Sequence, residues 1–477
     1  MTDLNSGSEQ DGLQTCPIHL LNPVQTKLKM NSGTQPSAES KTTHFRWVIV
    51  SLLFLATAIN YADRTVLSIA GPALAKSLQL SSVSMGYIFS AFGWSYVIAQ
   101  LPGGWLLDRF GSRKIYSISL FVWSFFTFIT GFTGFFIGVS AVVILFILRF
   151  LLGIAEAPAF PANSRITVAW FPTHETGTAA AIFNSAQYFA TVLFAPLLGY
   201  IVQTHGWQYS FMFMGFTGFL FLLVWLKYVQ APTRSRYIGK SEMEYISKGG
   251  ALVQMDRKLK DSRDPGPPAI RYLRQLLESR MLIGVYLAQY CINAITYFFI
   301  TWFPIYLVQA RGMTILKAGI VAVLPAIFGF IGGNLGGIFS DYLLTRGFSL
   351  SVARKVPIVM GMLLSMSMVF CNYTDLDWVV VSLMTLSYFG KGIGALGWAV
   401  NADTAPKEIT GLSGALFNTF GNLSSIITPI IIGYIVGIKG SFNGALILVS
   451  LHALIAILSY VVIVGKIERF ELKKSEI

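Results

Sequence analysis

Five ionisable side chains sit inside long apolar stretches: Asp63 and Arg64 in the first, Arg149 and Glu156 in the fourth, and Lys391 in the tenth. A charge at membrane depth costs at least ~2.5–3.5 kcal/mol on insertion scales, so such residues pair with one another, line a wet path or carry protons. Two acids and three bases of this kind suit the holding of a small organic anion and its movement together with protons. Arg64 offers a guanidinium that keeps its charge and a forked donor set that fits a carboxylate. Its plainer use is as partner of a backbone carbonyl or of Glu156. Glu156 lies among Ala155, Ala157 and Pro158, where desolvation penalises an ionised carboxyl. A carboxyl that changes protonation as access to water alternates serves a proton-coupled carrier. The plainer use is a structural pair with Arg149, seven residues earlier on roughly the same helix face. Asp63 and Arg64 are adjacent, so on a helix they point about 100° apart. One can face neighbouring helices while the other faces a cavity, unless both brace the first stretch against the fourth.

A polyhydroxylated ligand needs short-range donors and acceptors. Tyr96, Gln187, Asn293, Tyr297, Trp398 and Asn418 supply them within apolar stretches, with Gln289 and Asn184 as second choices. Intramembrane amides serve helix–helix hydrogen bonding equally well, and Trp398 and Tyr297 serve packing. Catalytic patterns are missing: the sequence contains no HExxH, GxSxG or Walker loop. Cys16, Cys291 and Cys371 lack metal-ligand spacing. No enzyme activity, no metal and no cofactor other than a proton gradient are expected.

The elements that must position these residues follow from composition. The chain has 477 residues, 54% hydrophobic and only 12% charged, against about 25% charged in a soluble domain. Lipid is therefore its solvent. A helix of about 20 apolar residues crosses a bilayer, and twelve fit, at roughly 46–70, 84–107, 115–134, 141–164, 177–202, 208–229, 281–308, 316–340, 354–372, 378–401, 410–436 and 442–465. The expected organisation is a disordered tail over 1–44, a six-helix bundle over 45–230, a linker over 231–279, a second bundle over 280–465 and a tail over 466–477. Met30, followed by a further polar stretch, offers an alternative start, and no cleavable leader is expected. The linker is basic and breaker-rich, with a short helix expected from Ser241 and an amphipathic one around 270–280. The net charge of +13 concentrates in the even-numbered connections and tails, through Arg109, Arg113, Lys114, Arg346, Arg354, Lys355 and Lys407. Positive residues stay inside, so both termini and the linker should face the cytoplasm. Nucleic-acid binding is not needed to explain the charge.

The two halves repeat. Gly177, Phe183, Asn184, Gly199 and Tyr200 recur as Gly411, Phe417, Asn418, Gly433 and Tyr434, all at an offset of 234 (411 − 177). Gly86, Gly104 and Asp108 recur as Gly319, Gly337 and Asp341 at 233 (319 − 86). Six crossings per half give both halves one orientation, a pseudo-two-fold axis along the membrane normal and a site near the midplane between them. The offset carries Lys391 onto position 157, beside Glu156, so Lys391 should face the central cavity. With Arg64 in one half and Lys391 in the other, the two ends of a dicarboxylate could be held. The alternative is that Lys391 snorkels, or pairs with Asp403 or Glu156.

The loop Gly104-Trp-Leu-Leu-Asp108-Arg109-Phe-Gly111-Ser-Arg113-Lys114 and its counterpart at Gly337–Asp341 place an Asp at a helix end. There it can accept from a neighbouring helix N-terminus or pair with Arg, forming a latch. These loops resemble the signature of the major facilitator superfamily, over essentially residues 45–470. The segments Asn60–Arg64, Met85–Phe92, Glu156–Pro161 and Phe183–Gln187 resemble its anion:cation symporter family. Gln289–Ala294 and Phe389–Trp398 are similar to bacterial D-glucarate/galactarate permeases. The resemblance implies an all-α membrane protein of two pseudo-symmetric six-helix halves, importing a sugar acid with protons across the bacterial inner membrane. It implies Asp63 and Glu156 as proton-coupling carboxylates and Arg64 as the carboxylate clamp. Tyr96, Gln187, Trp398 and Asn418 are implied as substrate contacts. Arg149, Asp108, Arg109, Arg113 and Asp341 are assigned to gating or structure. The expected partners are a small organic anion, protons and lipid, with a monomeric carrier. A monocarboxylate sugar acid, or another small organic anion, is the competing substrate.

Overall fold

The computed structural model describes residues 43–254 and 269–472. The expected disordered tail over 1–44, Cys16 and much of the basic linker lie outside the described residues, apart from Thr43 and His44. All regular structure among the described residues is helical. In the first half the helices are α1 (Phe45–Ser77), α2 (Ser82–Phe110), α3 (Ser112–Thr130), α4 (Val139–Glu156), α5 (Ala159–Trp170), α6 (Thr173–Thr204) and α7 (Trp207–Tyr228). The linker holds α8 (Lys240–Lys248) and α9 (Ala269–Glu278). The second half has α10 (Arg280–Thr301), α11 (Phe303–Gln309), α12 (Ile315–Val321), α13 (Val323–Thr345), α14 (Leu350–Ser365), α15 (Asp377–Ile393), α16 (Gly397–Thr404), α17 (Thr410–Lys439) and α18 (Asn443–Leu458).

Eleven helical segments among the described residues are long and apolar enough to cross a membrane by length and composition. The twelfth crossing is α2, 29 residues long, whose Gly, Ser, Tyr and Gln residues dilute its hydropathy. Ser90, Ser95 and Tyr96 among them are buried. The longest helix among the described residues, α1, has 33 residues, about 50 Å at 1.5 Å per residue, longer than the ~30 Å hydrocarbon core of a bilayer. Starts are set by side-chain caps: the hydroxyls of Ser81, Ser279, Thr314 and Ser349 accept from backbone N–H groups in the first turns of α2, α10, α12 and α14. Such a cap satisfies a donor that the helix cannot. Gly440, at φ 62°, ends α17 in the left-handed region that glycine tolerates.

The fourth and tenth crossings are not single helices, a departure from the sequence expectation. α4 stops at Glu156 and α5 resumes at Ala159, with Pro158 between them. Proline removes a backbone donor and clashes with the preceding turn. α15 stops at Ile393 and α16 resumes at Gly397, across Gly394-Ala395-Leu396. The two breaks are repeat-related, and each follows a charged residue, Glu156 in one half and Lys391 in the other.

The linker helix α8 is fastened to the first half by a cluster that the sequence reading missed. Glu242 is 3% exposed and accepts from the backbone N–H groups of Phe45 and Arg46 at 2.9 and 3.0 Å, capping α1. Arg46 joins Glu242 and Glu175 at 3.2 and 2.9 Å. A polar linker in which Glu242 is one of several acids gave no sign of which one is buried.

Candidate functional site

Asp63 and Arg64 leave α1 in different directions. Arg64 turns towards the junction of the halves. Its Nε and Nη2 each lie 3.1 Å from Oε2 of Glu156 at the end of α4. Nη2 also donates to Asn60 Oδ1 at 3.0 Å, one turn back. Three aromatic faces enclose the guanidinium: Phe92 at 4.4 Å, Tyr61 at 4.8 Å and Tyr96 at 5.3 Å. Arg64 and Glu156 thus form the brace between first and fourth crossings that the sequence left open. Glu156 is fully buried and hydrogen-bonds Arg64, not Arg149.

Asp63 turns into the first half. It is 1% exposed, and neither carboxylate oxygen has a hydrogen-bond partner. Arg149 approaches from α4 but donates to the Asp63 backbone carbonyl, at 2.9 Å. Its Nε and Nη2 have no partners, and it lies 5.6 Å from the Phe211 ring. An acid and a base are therefore neighbours inside the bundle without a hydrogen bond joining the two side chains. Leaving buried polar atoms unsatisfied costs about 1–3 kcal/mol each, more if charged, so the arrangement is an expensive one to keep for stability alone.

Lys391 is 6% exposed and makes no ion pair among the described residues. The two acids considered from sequence are engaged elsewhere: Asp403 by Arg354 at 2.8 Å and Glu156 by Arg64. The ammonium lies 5.3 Å from the Tyr388 ring and 6.0 Å from that of Tyr188, which belongs to the first half. Tyr61, under Arg64, and Tyr188 and Tyr388, against Lys391, line one pocket and form a cluster of three tyrosines. This cavity is lined by Tyr61, Thr65, Gln187, Tyr188, Phe299 and Tyr388, among others. Gln187 is the one polyol-reading residue named from sequence that borders it.

The other named residues are distributed differently. Tyr96 is buried and stacks on Phe92 at 5.4 Å, next to Arg64. Tyr297 donates to Asn422 Oδ1 at 3.0 Å, and Asn422 Nδ2 donates to Asn418 Oδ1 at 3.1 Å. Asn293 accepts from Gln289 at 3.3 Å. These amides are engaged within and between helices, the alternative use weighed for them. Trp398 lies beyond the break in α16, 55% exposed, with its edge against Phe417 at 5.0 Å. Tyr61, Tyr188 and Tyr388 were not singled out from sequence. Tyr388 is three residues before Lys391, and Asn60 four before Arg64, so helix-face spacing alone could have found both.

The latch residues pair within their own halves. Asp108 meets Arg165 of α5, whose Nε also reaches Ser112 at 3.2 Å. Asp341 lies 3.7 Å from Arg354, which also donates to Ser340 at 2.9 Å. Arg113 donates to the Leu226 carbonyl at 2.7 Å, and Arg109 lies over Trp105 at 5.2 Å. Neither latch crosses between the halves in this conformation.

Among the described residues, the two halves also pack closely at one end. Away from the described termini, α2 packs on α17 and α6 on α12 and α13. A methyl group added at Gly86 would lie 3.4 Å from the Gly433 Cα, and one at Gly199 would lie 3.7 Å from the Gly319 Cα. Tyr87 and Tyr434 share a hydrogen bond of 2.9 Å there, and Gln203 accepts from the Leu316 N–H at 3.0 Å. At the end that carries the termini, methyl groups at the repeat-related Gly104, Gly337, Gly177 and Gly411 would meet nothing within 4 Å. Helix packing between the halves is thus tight at the end away from the termini, and these four glycines at the other end carry no such packing.

Residues 53–353 match the sequence model of the Major Facilitator Superfamily. The chain is 61% identical over 437 residues to a probable galactarate/D-glucarate transporter, GudP, of Escherichia coli (strain K12), spanning 92% of this chain and 97% of that protein. It is 38% identical to a D-galactonate transporter of Escherichia coli O6:H1, spanning 91% of this chain and 99% of that protein. The fold matches the crystal structure of a bacterial homologue of the human lysosomal transporter Spinster with a TM-score of 0.69 at 15% identity, over 88% of this chain and 97% of the other. With two six-helix halves around a buried ionic centre, the chain belongs to the Major Facilitator Superfamily and is a membrane transporter, not an enzyme.

Proposed function

We propose that this transporter imports a sugar-acid dicarboxylate of the galactarate or glucarate type together with protons, by alternating access. Two relatives' names motivate the substrate class: 61% identity to a probable galactarate/D-glucarate transporter against 38% to a D-galactonate transporter. The observation that carries the dicarboxylate is Lys391, a buried ammonium with no acid partner among the described residues, against tyrosines that line one pocket with the Tyr61 under Arg64. One cation takes each carboxylate, and Gln187 reads the polyol between them.

Coupling follows from competition for Arg64. While Glu156 is ionised it holds the guanidinium. A proton on Glu156 weakens that pair, and the substrate carboxylate takes its place. Asp63, unsatisfied beside Arg149, is the second proton carrier. Protons and anion enter from one side and leave on the other as the halves rock. The carrier shifts populations and makes or breaks no covalent bond. The glycines support such rocking. Gly86 and Gly104 are 18 residues apart, five turns of α2, and Gly411 and Gly433 are 22 apart, about six turns of α17, so each pair lies on one helix face. The face packed at one end in this conformation is free at the other, ready to pack when that end closes. The bias of Lys and Arg supports an orientation with both termini in the cytoplasm; the membrane in this reading is the bacterial inner membrane and the carrier a monomer.

The test is counterflow in proteoliposomes with labelled galactarate and D-galactonate. Lys391→Asn should abolish exchange of the dicarboxylate and spare that of the monocarboxylate. Equal loss of both would remove the clamp.

A further inference from the structure

Lys391 is held in a way that its role as an anion receptor does not by itself require. Gly390 and Gly392 flank it, and each is pressed against another helix. A methyl group at Gly390 would lie 2.6 Å from the Leu364 Cβ of α14, and one at Gly392 would lie 2.8 Å from the Gly333 N of α13. The α15 backbone is therefore pinned on both sides. On the remaining side the lysine meets Tyr388 of its own helix, at 5.3 Å, and Tyr188 of α6, at 6.0 Å. The two rings meet edge to face at 6.4 Å and 65°, and Tyr388 is backed by Phe299 at 4.3 Å. Both tyrosines border the cavity that Gln187 also lines.

A buried ammonium is usually stabilised by a carboxylate. Here a carboxylate would be self-defeating, because it would neutralise the charge and compete with an incoming anion for it. A ring face attracts a cation through its quadrupole and carries no net charge, so the ammonium keeps its full charge for a ligand. We propose that Tyr188 and Tyr388 form an aromatic seat for Lys391, and that the seat and the cavity beside it receive the second carboxylate of a dicarboxylate substrate. Tyr188 and Tyr388 are then specificity-determining residues that act through Lys391. The inference rests on the reading of Lys391 as a substrate cation. The seat also spans the halves, since Tyr188 comes from the first and Lys391 from the second, so a carboxylate arriving there meets groups from both.

The test compares ring removal with hydroxyl removal. Tyr188→Leu, Tyr188→Phe, Tyr388→Leu and Tyr388→Phe are assayed for counterflow of labelled galactarate and of D-galactonate, with Lys391→Asn as the reference. The Leu variants should raise the galactarate KM about three- to thirtyfold, the range a desolvated cation–π contact supports, and leave the D-galactonate KM within about twofold of the parent. The Phe variants should behave as the parent towards both. Equal KM changes for both substrates in the Leu variants, or no change for either, would overturn the seat, as would Phe variants as impaired as Leu ones. If Lys391→Asn alone discriminates between the substrates, the clamp stands and the seat falls. If Lys391→Asn does not discriminate, both fall. Tyr188 is half-buried, so its Leu variant carries the test should Tyr388→Leu not assemble.

Discussion

Replacing Glu156 with Gln isolates the step on which coupling turns. Glu156 binds Arg64 through two contacts of 3.1 Å. Two unit charges about 4 Å apart attract by about 4 kcal/mol at an effective dielectric constant near 20. Glutamine keeps an oxygen for the guanidinium, and a hydrogen bond to a charged donor retains about 1.5–3 kcal/mol. The substrate carboxylate then has about 1–2.5 kcal/mol less to displace, which is about 5- to 60-fold in affinity at roughly 1.4 kcal/mol per tenfold. The sign with pH follows. In the parent protein, anion binding should weaken as pH rises, because ionised Glu156 reclaims Arg64. In Glu156→Gln, binding should be tight and flat with pH. Tryptophan fluorescence titration with galactarate across pH measures both, and counterflow confirms that the variant still exchanges. A variant that binds more weakly than the parent at alkaline pH, or keeps the parent's pH slope, would refute the competition for Arg64.

Other parts of the account yield separate tests. Asp63→Asn removes a carboxyl that makes no hydrogen bonds, so the protein should assemble normally and still perform counterflow while losing gradient-driven accumulation; full accumulation would exclude Asp63 from coupling. Cysteines at Gly104 and Gly411 should cross-link in membranes and arrest transport, since closure brings these faces within the ~4.4–6.8 Å Cα separation of a disulfide. No cross-link under any substrate or pH condition would contradict the proposed closed contact. Glu242→Ala uncaps α1 and strips Arg46 of one of its two acids. Breaking such a buried pair costs about 3–5 kcal/mol, so the melting temperature should fall by several degrees with the substrate KM unchanged, and an unchanged melting temperature would count against the clamp.

The path from sequence to structure was uneven for physical reasons. Hydropathy and the repeat of Gly, Asn and Asp were enough for the twelve crossings, because a bilayer enforces helix length and close packing enforces glycine. The same logic exposed Asp63, Arg64, Glu156 and Lys391, since a charge stands out against an apolar run. Which acid meets which base did not follow. Glu156 was as well spaced for Arg149 as for Arg64, and only the rotation of α1 against α4 decides between them. The amides could not be divided between ligand and helix packing, and Asn293, Asn418 and Tyr297 turn out to be engaged with protein neighbours. Tyr188 escaped notice because an aromatic residue in a membrane helix is ordinary until it is found against a cation from elsewhere in the fold, whereas Tyr388, three residues before Lys391 on one helix, was within reach of helix-face spacing. Glu242 escaped because its burial depends on how the linker docks, which no local pattern records.

Labelled galactarate uptake into proteoliposomes, with and without an imposed pH gradient, tests the central claim most directly. The account predicts accumulation above the external concentration when the outside is acidic, collapse to equilibration when a protonophore dissipates the gradient, and no accumulation by Glu156→Gln. Uptake that is indifferent to the gradient, with the purified protein active in counterflow, would contradict proton coupling at this buried ionic centre.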